Sequence, residues 1–187
     1  MATPSDPLAA LAARAHGCRA CGLASTRANV VFGSGDPDAA LMFVGEGPGE
    51  QEDLSGEPFV GRAGRLLTSL IGEIGLTRDE VYIANVVKCR PPGNRNPAPE
   101  EIAACAPFLE GQLDLVAPRV VVTLGNFATR SLLDTKVGIT KLRGRVFPYR
   151  DGVLIPVLHP SAVLRNGAAA LAQARADFVT IERTLAA

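Results

Sequence analysis

Apolar residues fall into two rhythms along this chain. Four short, mainly hydrophobic stretches (Leu41–Val44, Val81–Val87, Val120–Leu124 and, within 146–158, the run up to Leu158) read as strands buried on both faces. Between them the spacing turns helical. Leu66, Leu67, Leu70, Ile71 and Ile74 share one face of a helix over 65–74 that Gly75 stops. Helices are also predicted over Glu100–Val116, closed by Pro118, from Gly125 to Leu133, and over Ala168–Leu185. A first Ala/Leu helix is predicted to start on a Ser5 cap and end at Gly17. The Gly- and Pro-rich segments 46–61 and 88–99 read as loops, and 18–35 as irregular. Asp151-Gly152 predicts a type I′ hairpin inside 146–158. Strands alternating with helices imply an α/β fold, its mainly parallel sheet covered on both faces. In such folds ligands bind beyond the carboxyl ends of the strands. The loops from Gly45, Lys88 and His159 start there, so the chemistry is expected there.

Composition narrows the class. The chain has 187 residues, 47% hydrophobic and 20% charged, so disorder is excluded and one domain spanning 1–187 is expected. No apolar run is long enough for a membrane span, and Met1–Ala15 does not read as a signal peptide, so a cytoplasmic protein is expected. Nineteen bases balance nineteen acids, which excludes a polycation coating nucleic acid by bulk charge. The charges are nonetheless segregated. Glu46, Glu50, Glu52, Asp53 and Glu57 form a stretch without bases. Lys136, Lys141, Arg143, Arg145 and Arg150 form one without acids. Such runs read either as solvated surface or as an acidic catalytic loop beside strips that hold phosphates.

Cys18 and Cys21 are spaced C-x-x-C, and Cys89 and Cys105 follow. Nothing marks the chain as secreted, so metal binding is favoured over two disulfides. Four thiolates suit zinc or an iron–sulfur cluster equally by count. The lack of a second C-x-x-C tilts slightly toward the cluster. Asn85, inside an apolar strand, must find partners, because an unsatisfied amide costs about 1–3 kcal/mol. It is either a structural brace or the reader of a planar ligand edge. His159, at a strand's carboxyl end, is a better functional candidate than His16 on the first helix.

Taken together, Cys18-Arg-Ala-Cys21, the loop GEGPGEQED with Pro58-Phe59-Val60-Gly61, NVVKCRPPGNRNP at 85–97, Cys105 and HPSAVLRN at 159–166 resemble the iron–sulfur family 4 uracil-DNA glycosylases. The resemblance covers Cys18 to about Asn166. It implies a three-layer α/β/α sandwich around a small, mainly parallel sheet. It also implies a [4Fe–4S] cluster on Cys18, Cys21, Cys89 and Cys105, held by segments 18–21 and 89–105. By the same resemblance Glu46 activates or orients a water, and Gly45, Gly47 and Ser161 border the base pocket. Glu52 lies near the C5 edge of uracil, where a thymine methyl is crowded. Phe59 stacks on the extruded base, Asn85 binds its amide edge and His159 faces O2. Leu164 and Arg165 lie in the segment that enters the duplex. Apart from the resemblance, the basic strip around Arg143 and Arg145, with Arg165, is expected to contact phosphates. The implied reaction is hydrolysis of uracil from single- or double-stranded DNA by a monomer, without strand cleavage. Two features depart from the family pattern or its relatives. Leu158 stands where an aromatic is common, and no His lies between His16 and His159, so the cross-linking activity of a related subgroup is not expected. A non-catalytic nucleic-acid binder would not need Glu46, and an electron carrier would need no base pocket.

Overall fold

A computed structural model describes residues 6–187. The apolar stretches form the strands β2 (Leu41–Gly45), β3 (Tyr82–Asn85), β4 (Val120–Leu124) and β6 (Gly152–Val157). The strand β1 (Ser34–Gly35) and the strand β5 (Phe147–Tyr149) complete one sheet in the order β1-β3-β2-β4-β6-β5. Its four inner strands are parallel, and both edges are antiparallel. All five residues of β2 are buried, but to opposite sides. Leu41 and Phe43 pack with Leu67, Leu70 and Ile71 of α3 (Arg62–Glu73) and with Phe178 and Ile181 of α8 (Ala168–Ala186). Met42 and Val44 pack with Leu109, Leu113 and Val116 of α4 (Pro99–Val116) and Ala128 of α5 (Asn126–Leu133). Continuous apolar runs thus produce the expected three layers, because each strand has a helix layer on either side. No described helix is long and apolar enough to cross a membrane.

A third, smaller cluster joins Leu11 and Ala15 of α1 (Pro7–His16) to Leu23, Val30, Phe32, Phe108 and the four cysteines. Ser5 lies outside the described residues. The cap on α1 belongs to Asp6, whose carboxylate accepts from the Leu8 N–H at 2.9 Å, with Pro7 in the first turn.

Three local expectations are corrected, and two short helices are added. The segment 46–61 is not all loop: α2 (Glu50–Ser55) forms because its acids sit in the first helical turn, and Glu52 reaches back to the Gly49 N–H. Gly56, at φ 77°, ends it. A second short helix, α6 (Ile139–Leu142), follows α5, and a third, α7 (Pro160–Asn166), follows β6. The hairpin turns at Arg150-Asp151, since Tyr149 pairs with Gly152. Arg150 takes φ 50°, and Asp151 is not left-handed, so the turn is not type I′. Gly152 is required for another reason: a Cβ there would lie 2.3 Å from the Arg119 carbonyl oxygen. Residues 34–35, read as irregular, pair with β3.

Candidate active site

The sheet register assembles the site. Gly45 at the end of β2 is the partner of Asn85 at the end of β3, and Val86 and Val87 donate onward to the carbonyls of Gly45 and Glu46 at 2.9 and 3.1 Å. The β2 and β3 loops therefore leave side by side. His159, two residues past β6, meets them from across β4, where Gly125 (φ 88°) makes room: a Cβ there would lie 2.9 Å from that of His159. The result is a cleft of about 480 Å³ lined by Glu46, Gly47, Glu52, Phe59, Asn85, His159 and Ser161, with Gln51, Arg62, Asn94 and Arg95 at its wall.

Asn85 is 1% exposed, and its Oδ1 accepts no hydrogen bond from any described residue. Gly45 leaves space for it, since a Cβ at 45 would lie 2.5 Å from that oxygen and 2.5 Å from the Phe59 ring. A buried acceptor without a donor costs about 1–3 kcal/mol and in a native fold calls for an explanation.

The Phe59 ring packs over the end of β2 and is tilted 35° against His159, with centroids 5.9 Å apart. Its backbone is left-handed at φ 52°, a state costing an aromatic residue on the order of 1–3 kcal/mol. Two groups hold it there. The Arg78 guanidinium donates to the Pro58 and Phe59 carbonyls at 2.6 and 2.9 Å, and Gly64 has no Cβ to strike the Phe59 carbonyl, which would lie 1.8 Å away.

His159 caps α7. Its Nδ1 accepts from the Ser161 N–H at 3.1 Å and lies 2.7 Å from the Ser161 hydroxyl. The ring proton therefore belongs on Nε2. Burial, aided by Arg165, pulls the imidazole down to about 4, against a small opposing pull from Glu52. Near neutral pH the ring is an uncharged Nε2–H donor. Glu46 is half-buried and that burial raises its carboxyl pKa, making it a stronger base than a surface carboxylate. Glu52 spends its carboxylate on the loop, accepting from Gly49 at 3.2 Å and from Val60 and Gly61 at 3.0 Å. It thereby ties α2 to the entrance of α3.

Lys88 lies between this cleft and the cysteines. It is fully buried; its ammonium donates to the Asn85 backbone carbonyl at 2.7 Å and to Gln112, and burial pulls it down to about 7. All four cysteines are free and line one small cavity with Ala15, Ala20, Ala24 and Phe108. Hydrogen-bond donors already face three sulfurs: Ala20 N–H to Cys18, Arg27 to Cys89 and Lys88 N–H to Cys105, at 3.5, 3.3 and 3.3 Å. Among the described residues no three His, Cys, Asp or Glu side chains close around a single-ion position. A shared cavity with N–H groups aimed at sulfur fits a group held by several thiolates.

Elsewhere the basic strip is divided. Arg143 grips the buried Asp177 through two nitrogens at 3.0 and 2.8 Å and also reaches the Gln173 carbonyl. Arg145 stacks over Phe147 at 5.4 Å. Leu164 is 42% exposed on α7 beside Arg165. Leu158 joins the core with Phe59 and Val163. None of these lines the cleft. Sequence reasoning missed Arg78 and Gly64: Arg78 is one of many loop arginines, and Gly64 reads as an ordinary glycine within a helix. The α7 cap could have been found, because Pro at the first helical position after a capping side chain is a recognised start.

Residues 32–185 match the Uracil DNA glycosylase superfamily. The chain is 51% identical over 168 residues to a type-4 uracil-DNA glycosylase of Thermotoga maritima, covering 89% of this chain and 88% of that protein. It is 50% identical to the type-4 uracil-DNA glycosylase of Sulfurisphaera tokodaii over 80% of this chain and 72% of that one. To that of Archaeoglobus fulgidus it is 46% identical, over 79% and 78%.

Proposed function

The chain belongs to the uracil DNA glycosylase superfamily, and on that premise we propose that it excises uracil from DNA in base excision repair, leaving an abasic site. The carrying observation is the Asn85 side chain: its buried Oδ1 has no donor among the described residues, in a cleft roofed by an aromatic ring. Uracil supplies the missing donor at N3–H and an acceptor at O4 for the amide N–H. Cytosine offers the opposite pattern.

The residues divide the work. Flipping the nucleotide costs a few kcal/mol, and stacking on Phe59 offsets roughly 1–3 kcal/mol of it. As the glycosidic bond breaks, its electron pair goes to the base and the sugar becomes oxocarbenium-like. The neutral Nε2–H of His159 donates to the O2 atom where the uracil anion's charge gathers, as in an oxyanion hole. Glu46 orients the water whose oxygen bonds to C1′ and takes up its proton. Glu52, braced against three N–H groups, fixes the wall by the C5 edge and crowds a thymine methyl there, while Gly45, Gly47 and Ser161 border the pocket. The Lys88 amine is buried behind the cleft and committed to the Asn85 backbone carbonyl and Gln112, so water rather than an amine is the nucleophile and the strand stays intact. Arg145 and Arg165 contact phosphates, Leu164 enters the vacated stack, and Arg143 acts through Asp177.

Cys18, Cys21, Cys89 and Cys105 would hold a [4Fe–4S] cluster. When bound, it supplies a covalent clip joining the 18–21 turn, the loop after β3 and α4. The chain works as a cytoplasmic monomer, visiting the nucleoid when on DNA.

The test is incubation with an oligonucleotide carrying one uracil. Breaks at the uracil only after alkali are expected, with iron in the protein, and a large fall for Asn85→Asp. No alkali-labile site, or cleavage before alkali, overturns the proposal.

A further inference from the structure

We infer that Arg78 is a positioning residue for base excision: it holds the stacking ring of Phe59 in place through the backbone. The inference rests on the reading of Phe59 as the surface on which the flipped base lies.

Arg78 never reaches the cleft. It sits in a single turn, Arg78–Glu80, that leads into β3, and this turn is itself fixed: Glu80 accepts from the Thr77 N–H and hydroxyl, both at 2.9 Å. From that anchored base the guanidinium spans to the 58–59 peptides, where two terminal nitrogens take two consecutive carbonyls, and one also meets the Thr68 hydroxyl at 3.3 Å. Consecutive carbonyls converging on one cation is the arrangement that φ 52° at Phe59 produces. Relaxed to an extended conformation, the Phe59 carbonyl leaves the guanidinium and the ring leaves the end of β2. Glu52 braces the far side of the same peptide through the Val60 N–H at 3.0 Å and core packing holds the ring, but neither reaches the two carbonyls, and Gly64 only permits the conformation. A strained backbone at a ligand-facing residue persists when its surroundings over-determine it, and here Arg78 supplies the part that acts on the carbonyls. Its planar fork sets a separate nitrogen against each carbonyl, whereas an ammonium has a single nitrogen to share between them.

The experiment uses the full, cluster-loaded chain and single-turnover excision from a uracil oligonucleotide. Four proteins are compared: wild type, Arg78→Ala, Phe59→Leu and the double variant. Arg78→Ala is expected to lose about 10- to 100-fold in kcat/KM, the rate equivalent of the released strain. Millimolar guanidinium restores much of that loss and leaves wild type unchanged. In the Phe59→Leu background, with no aromatic ring to place, removing Arg78 costs under about 2-fold. If Arg78→Ala loses its cooperative thermal transition, Arg78→Lys carries the same cycle. It keeps the charge, lacks the fork and is expected to show a similar loss. An equal cost of the Arg78 change with and without Phe59, or full activity of Arg78→Ala, overturns the inference. A wild-type chain that leaves uracil in place overturns the reading beneath it and this inference too.

Discussion

Replacing His159 by Gln should alter how stability depends on acid, in a direction and window fixed by the structure. The imidazole titrates at about 4 in the folded chain, against 6.5 in the free side chain, because burial disfavours its charge. Above 6.5 both folded and unfolded states hold it neutral, and it contributes no pH dependence. Between 6.5 and about 4 the unfolded chain binds a proton that the folded chain refuses, so stability falls as pH falls. The gap of about two and a half units caps the loss at roughly 3 kcal/mol. Asp177 works in the opposite sense: burial pushes its carboxyl up to about 6 despite Arg143, so its contribution is present at low pH and lost as pH rises through 6. The two partly cancel in the wild type, and only the difference between wild type and His159→Gln isolates the imidazole. Urea unfolding of both at pH 7, 5.5 and 4.5 is the assay. The difference should be constant above pH 6.5, then move in favour of the variant by about 1.4 kcal/mol per pH unit. Parallel curves down to pH 4.5 would refute a neutral, buried imidazole. Excision should agree: with His159 already neutral, the acid limb of wild-type activity belongs to Glu46, whose carboxyl is raised by burial.

Arg143→Ala should cost about 2–3 kcal/mol in urea unfolding, because it strands the buried Asp177 carboxylate, yet leave the salt slope of DNA binding unchanged. Arg165→Ala should lower that slope by about one phosphate contact without loss of stability. Gly45→Ala places a methyl 2.5 Å from both Asn85 Oδ1 and the Phe59 ring. It should cut kcat/KM by about 10- to 100-fold at unchanged iron content, and wild-type excision by this variant would show that the contact is not part of the pocket.

The layers were legible because the inner strands are buried on both faces, and a run with almost no polar positions leaves little choice of fold. His159 and Asn85 stood out for being polar where their neighbours are not. Other features resisted reading because they depend on contacts distant in sequence. Arg143 sits in a basic run that resembles a phosphate strip, and its partner Asp177 lies on another helix 34 residues away. Arg78 acts on carbonyls 19 and 20 residues upstream. The acids of 50–53 read as loop charge, whereas they mark a helix start, since a short helix has too few residues to show a period.

The ends of the sheet carry a consequence for how copies of the chain meet one another. β1 is two residues long, and β5 has Pro148 in the middle of its three. A neighbour seeking to add a strand finds at one margin a span too brief to register, and at the other a residue with no N–H to share. Copies brought close together therefore have no sheet margin along which to zip, and this one route to aggregation is blunted at both ends.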